Sequence, residues 1–299
     1  MFRLLSLAIV LGSGMAIAQD ADVLPAYVLQ LPDSVDSILI AETDTSTLHR
    51  FMRGRHGFEP GDERYMSVGQ GGVGKRRAWD RRTPLGIYFV NDQLDTSGLH
   101  ERYGPTAFTL DYPNAWDRFN ERTGGGIWIH GVTPGSGPRP PLDTDGCIAL
   151  PNADLLLLEE HLVPLVTPVI IARKIRRKSA EQIAATRDEL MTALDSWASS
   201  YRSGDWHRYL SLYAADFEYR GLDRDEWSAY RLQALAERPI RQFVLDDVLL
   251  LEDPEEEGLF LSRFRQSIVD DEHTTMTIKR LYWRRAKNGE LKIVTEDNG

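Results

Sequence analysis

The chain has 299 residues, enough for two domains of ordinary size, and its composition (42% apolar, 27% charged) is that of a soluble globular protein. A formal net charge of −10 argues against a general nucleic-acid binder, because phosphate affinity needs a surplus of Lys and Arg. No run after the first residues is long and apolar enough to span a membrane.

Met1-Phe2-Arg3 is a short basic start, Leu4 to Val10 is apolar, and Ala16-Ile17-Ala18 fits a small-x-small cleavage site. This pattern predicts a secretory signal at residues 1–18, cut before Gln19, and hence a periplasmic protein with no membrane span after cleavage. Residues 19–35 form an N-terminal segment. From 36 to 173 short strands alternate with Gly- and Pro-rich loops: Ser37 to Glu42 pairing with Thr47 to Met52, then Gly86 to Val90, Ala107 to Leu110, Ile127 to His130 and Val169 to Ala172. Asn152 is placed to cap a short helix through Glu160 that partly buries Leu155, Leu156 and Leu158. Residues 174–180, with the basic run Arg173 to Lys178, read as a solvated linker.

A second domain is expected over 181–299. Ser179 to Gln182 is a capping box, and Ile183, Leu190, Leu194, Trp197 and Tyr201 recur with helical period. Two more helices, Trp206 to Tyr213 and Asp225 to Ala236, precede strands at 242–251, 259–269, 275–285 and 291–295. Helices followed by a run of antiparallel strands predict an α+β unit. Trp206, Tyr209 and Trp227 are expected in its core, and Lys279, Arg280, Arg284 and Arg285 fit equally a contact with anionic glycan or charges guarding an edge strand.

The chemistry concentrates on the only cysteine, Cys147. A lone thiol forms no intramolecular disulfide, and a redox sensor would need a resolving cysteine that the chain lacks. A free thiol, with a pKa of about 8.5, needs a base to become a nucleophile near neutrality. His130 supplies one, and the carbonyl of Gly131 is the natural acceptor for its other ring nitrogen. Gly146 lets the backbone approach closely before the nucleophile, and backbone N–H groups at Cys147 and nearby are candidates for an oxyanion site. His49, His56, His100, His161, His207 and His273 have no ligand spacing to another His or Cys, so a zinc site is not expected.

His130-Gly131, a loop, then Thr144-Asp145-Gly146-Cys147 resembles the active-site signature of the L,D-transpeptidase (YkuD-type) catalytic domain. Asp80-Arg-Arg-Thr83-Pro84-Leu-Gly86-Ile-Tyr88, Ser67-Val-Gly69 and Leu110-Asp-Tyr112-Pro113-Asn114 are similar to further motifs of that family, in consistent order over 36–173. The resemblance implies a mixed β-sandwich acting on peptidoglycan stem peptides without metal or cofactor. By position Cys147 is the nucleophile, His130 the base and Gly131 the carbonyl acceptor. Thr144, Asp145 and Gly146 form the oxyanion and substrate loop, with Tyr112 and Trp128 as substrate contacts. The thiol would attack the bond between a diamino acid and the terminal D-Ala of a tetrapeptide stem. Transfer of the acyl group to an amine would cross-link two stems. The alternative, transfer to water, would trim tetrapeptide to tripeptide. Release of lipoprotein from the wall, or wall binding without catalysis, rank below these. Asp145 and Ala149 replace the His and Arg common in the family, which leaves open how a substrate carboxylate is held. The branch with Gly-Cys-Ile-Ala includes cell-shape L,D-carboxypeptidases.

The region after 181, with Trp197, Gly204-Asp205, Tyr213 and Phe217, resembles the nuclear-transport-factor-two-like (SnoaL-like) cone that this branch carries. That resemblance implies a spacer, a homodimer contact or a protein partner.

Overall fold

The computed structural model describes residues 23–54, 57–237 and 239–299; the predicted export signal and His56 lie outside them. Two large sheets dominate. The first has eight strands in the order Ile148–Ala149, Trp128–His130, Ala107–Leu110, Gly86–Leu94, Pro168–Ala172, Ser37–Glu42, Thr47–Gly54 and Gly57–Tyr65. It is mixed: Pro168–Ala172 runs parallel to Ser37–Glu42 and antiparallel to Gly86–Leu94.

The central strands are near-continuous apolar runs because both faces of this sheet are covered. Alternate side chains enter different cores. Leu39, Ala41, Tyr88, Val90, Val169 and Ile171 pack within the first domain. Ile38, Ile40, Ile87, Phe89, Ile170 and Ala172 pack with Leu249, Leu251, Leu261, Tyr282 and Val294 of the second. The two domains therefore share a core.

The second sheet has seven strands: Leu222–Asp223, Tyr213–Tyr219, Leu291–Asn298, Thr274–Arg285, Leu259–Val269, Gln242–Glu252 and Val28–Gln30. Helix Ala180–Ser203 starts at the predicted capping box of Ser179 and Gln182 and ends at left-handed Gly204. Its stripe of Leu190, Leu194, Trp197 and Tyr201 packs against Phe243, Phe264, Leu281 and Trp283. Tyr209 and Trp227 are buried with them, as expected.

Several expectations are corrected. Tyr213, read as the end of a helix, opens a strand, Tyr213–Tyr219, that runs parallel to Leu291–Asn298. The four-residue spacing of Tyr213 and Phe217 suits either element when both rings enter one core. Thr274–Arg285 is an interior strand, and its Lys279 and Arg280 are buried. Their charges face Glu296 and Asp297 on the adjacent strand, and Arg280 also reaches Asp111 of the first domain. The basic run is no free linker. Arg177–Ser179 pairs with Val23–Pro25, while Arg176 and Lys178 meet the buried Glu252. Asn152 does not cap its helix, whose first turn follows Pro151, and Leu156 is exposed.

Candidate active site

Strand Ile148–Ala149 runs parallel to Trp128–His130, with Ile148 opposite Ile129 and Ala149 opposite His130. Ile129 and Ile148 both enter the core. Alternation along a strand then turns Trp128, His130, Cys147 and Ala149 to the other face. Cys147 and His130 are thus diagonal neighbours on one surface of the sheet edge.

His130 is buried, and its Nδ1 lies 2.6 Å from the Gly131 carbonyl. A carbonyl only accepts, so Nδ1 carries the proton and Nε2 is left with a lone pair. Burial pushes the imidazole down to about 4; the Gly131 bond opposes this, and Arg139 and Arg102 add to it. Cys147 is half-buried, and its Sγ donates to the Gly126 carbonyl at 3.4 Å. Burial pushes the thiol up to about 11, and the charge of Asp145 adds to this; a backbone bond from Trp128 and the charges of Arg102 and Arg139 oppose it. At neutral pH the resting pair is therefore a thiol beside a neutral imidazole. That pair is suited to general-base attack, in which the thiol loses its proton as it reacts.

The supporting contacts explain the motif residues. A Cβ on Gly131 would stand 2.2 Å from Asn152 Oδ1, so no side chain fits there. Asn152 instead clasps the next residue, accepting from Val132 N at 2.7 Å and donating to Val132 O at 2.9 Å. Gly146 has φ 126°, and a Cβ there would meet the Arg82 carbonyl at 2.8 Å. Buried Thr83 accepts from Gly69 N and donates to Gly146 O, each at 2.9 Å. Ser67 exchanges both backbone bonds with Ala149 at 2.9 Å. The upstream motifs thus converge on the turn that carries Cys147. Thr144 Oγ1 donates to Cys147 O at 2.7 Å and accepts from Gly146 N at 3.1 Å. The Gly146 N–H is therefore committed to the turn and is not free for an oxyanion.

Asp145 is exposed on the rim, with Arg81 Nε 3.8 Å away. Trp128 packs on Tyr103, ring centroids 5.0 Å apart. Tyr112 is buried in the first-domain core, and its hydroxyl donates to Thr123 O at 3.1 Å.

Cys147 opens into a cavity of about 530 Å3, also lined by Lys75, Trp79, Arg81, Arg102, Tyr103 and Asp145. Arg102 was not legible as a site residue in the sequence. It reaches this wall because Gly131 N donates to Tyr103 O at 2.9 Å, tying its short helix to the residue after the base. The Tyr103 ring stands edge-on to His130 at 5.1 Å and carries the Arg102 guanidinium at 4.9 Å. Arg139 donates to Arg102 O at 3.3 Å.

Residues 38–171 match the L,D-transpeptidase catalytic domain (YkuD), and residues 189–297 match the Cds6 C-terminal NTF2-like domain. Among solved structures, Bd1075 of Bdellovibrio bacteriovorus superposes with a TM-score of 0.75 at 24% identity, covering 93% of this chain and 98% of that one. The helical cell shape determining protein Pgp2 of Campylobacter jejuni gives a TM-score of 0.75 at 24% identity, covering 90% and 94%. No curated protein matches the chain. Similarity in fold to both proteins thus extends over the pair of domains. The chain thus carries an L,D-transpeptidase (YkuD) catalytic domain at residues 38–171 and a Cds6-type NTF2-like domain at residues 189–297.

Proposed function

We propose that the protein is an exported L,D-carboxypeptidase of peptidoglycan, with Cys147 as nucleophile and His130 as base. The observation that carries the chemistry is the His130 tautomer. The Gly131 carbonyl fixes the proton on Nδ1, so Nε2 is the acceptor on the face that Cys147 shares.

In the first step Sγ attacks the carbonyl carbon joining the diamino acid to the terminal D-Ala, and its proton passes to Nε2. The tetrahedral intermediate collapses by breaking the C–N bond, and His130 returns the proton to the departing amine of D-Ala. A thioester remains. Water then attacks it, giving a proton to Nε2. The C–S bond breaks, the thiolate recovers that proton, and a tripeptide carboxylate leaves. Arg102, on the wall of the cavity into which Cys147 opens, is assigned to the terminal D-Ala carboxylate.

Water as acceptor is favoured by the pairing of domains, which matches the fold of Pgp2, a helical cell shape determining protein, over nearly its whole length. The test is to incubate the chain from Gln19, and its Cys147→Ala variant, with purified tetrapeptide muropeptides and to resolve the products by mass spectrometry. Tripeptide without dimers is expected. Direct cross-links between diamino acids would reassign the enzyme as a transpeptidase, and no product from the native chain would overturn both.

A further inference from the structure

We infer that Trp79 is a saccharide platform beside the thiol, positioning the glycan to which a stem peptide is attached. The inference rests on the peptidoglycan reading above and extends it from the peptide to the sugar. Trp79 lines the same cavity as Cys147, yet its own surface is 94% exposed. An apolar ring of that size normally gains from burial, and this one is left in solvent at the mouth of the cavity that holds Cys147.

The loop shows why the ring cannot turn inward. Trp79 holds φ 65° and Arg81 φ 54°, left-handed backbone that a bulky side chain rarely adopts. Asp80 between them fixes it. Its Oδ1 accepts from Lys75 Nζ at 2.8 Å and Arg82 N at 3.1 Å, and its Oδ2 from Arg76 N at 2.8 Å and Arg77 N at 3.1 Å. The loop is in turn fastened to residues 123–126, whose Gly126 carbonyl touches the thiol. Thr123 N donates to Arg76 O at 3.0 Å, and Gly124 has backbone of Ala78 3.0 Å from its Cβ position. The backbone that carries the ring is thus held at a fixed place relative to Cys147.

The chemistry of the wall selects the ligand. A pyranose presents an apolar C–H face, whose slightly positive hydrogens suit the negative face of an indole, and a rim of hydroxyl and N-acetyl groups. The exposed Arg81 and Asp145 on the same wall offer charged partners for such a rim. The core of a protein interface is instead depleted of charge.

The experiment titrates the full chain from Gln19 with peptide-free N-acetylglucosamine–N-acetylmuramic acid oligosaccharide, followed by calorimetry. Saturable binding is expected, weakened about tenfold or more in Trp79→Ala and largely restored in Trp79→Tyr, with the thermal midpoint of both variants unchanged. Absence of binding by the native chain overturns the inference, as does equal binding by Trp79→Ala. Loss accompanied by a lowered thermal midpoint that Tyr does not repair overturns it too, since the ring would then only support the loop. Turnover of a sugar-free tetrapeptide is measured separately. Its failure would sink the peptidase reading while leaving the sugar result standing.

Discussion

Burial acts on Cys147 and His130 by disfavouring charge on both, and this gives their pH behaviour a definite sign. On the proposed mechanism His130 must be neutral to accept the thiol proton, so the acid limb of turnover should fall near pH 4 rather than near the ordinary histidine value of about 6.5. A profile of kcat/KM against pH checks this. Alkylation of the resting thiol by iodoacetamide should have a midpoint above that of free cysteine, since burial holds the thiol near 11. Stability follows the same logic. Below about pH 6.5 the unfolded chain protonates this imidazole while the folded chain resists until about 4, so the unfolded state binds more protons in that window. Folding should lose on the order of 3 kcal/mol from this group as pH falls through it, and His130→Gln should remove that part of the slope in urea titrations. Sequence makes the His130–Gly131 pair legible because the acceptor is the next residue. Arg102 and Trp79 were missed because no spacing ties them to Cys147; only the folded loops bring them to its cavity.

Elements carry the next level of support. The loop at 75–82 depends on one carboxylate, which its four donors hold down at about 2. Asp80→Asn strands the buried Lys75 ammonium and should cost about 2 kcal/mol or more by urea unfolding. In the native chain that contribution is complete above about pH 4 and is lost as pH falls towards 2. At the loop after the base, Gly131→Ala forces Asn152 away from Val132. A cost of roughly 1–3 kcal/mol is expected, with loss of turnover because the His130 acceptor moves. The central strands were readable from apolar runs such as Ser37–Glu42. The edge strand Gly57–Tyr65 was not, because Pro60, Gly61 and its charges mimic a loop; a proline is tolerated there because one side of an edge strand needs no partner. Tyr213–Tyr219 was hidden by a spacing that helix and strand share.

For the whole molecule, the shared core means that neither domain has a complete hydrophobic interior alone. Ile38, Ile40, Ile87 and Phe89 of the first lie against Leu249, Leu261 and Tyr282 of the second. A single calorimetric transition is expected for the full chain, and two separable transitions would contradict the common core. Arg280 joins the halves: it grips Asp297 through Nε at 2.6 Å and Nη2 at 3.0 Å and also contacts Asp111. Arg280→Leu strips Asp111 of its cation and leaves Asp297 only the half-exposed Arg118 at 3.4 Å, and should cost about 3–5 kcal/mol in urea unfolding. The sequence showed two domains but not their fusion, because an apolar run does not say which faces are covered, and charges at 279–285 look the same on an edge as in a buried pair. Strand Val28–Gln30 belongs to the second domain's sheet, where it pairs with Leu250 and Leu251. Ribosomal synthesis delivers that strand long before its partner, so it must wait unpaired while about two hundred residues are made. A chain halted short of residue 250 would therefore keep Val28–Gln30 unsatisfied, a natural handle for chaperones or proteases that recognise unfinished protein.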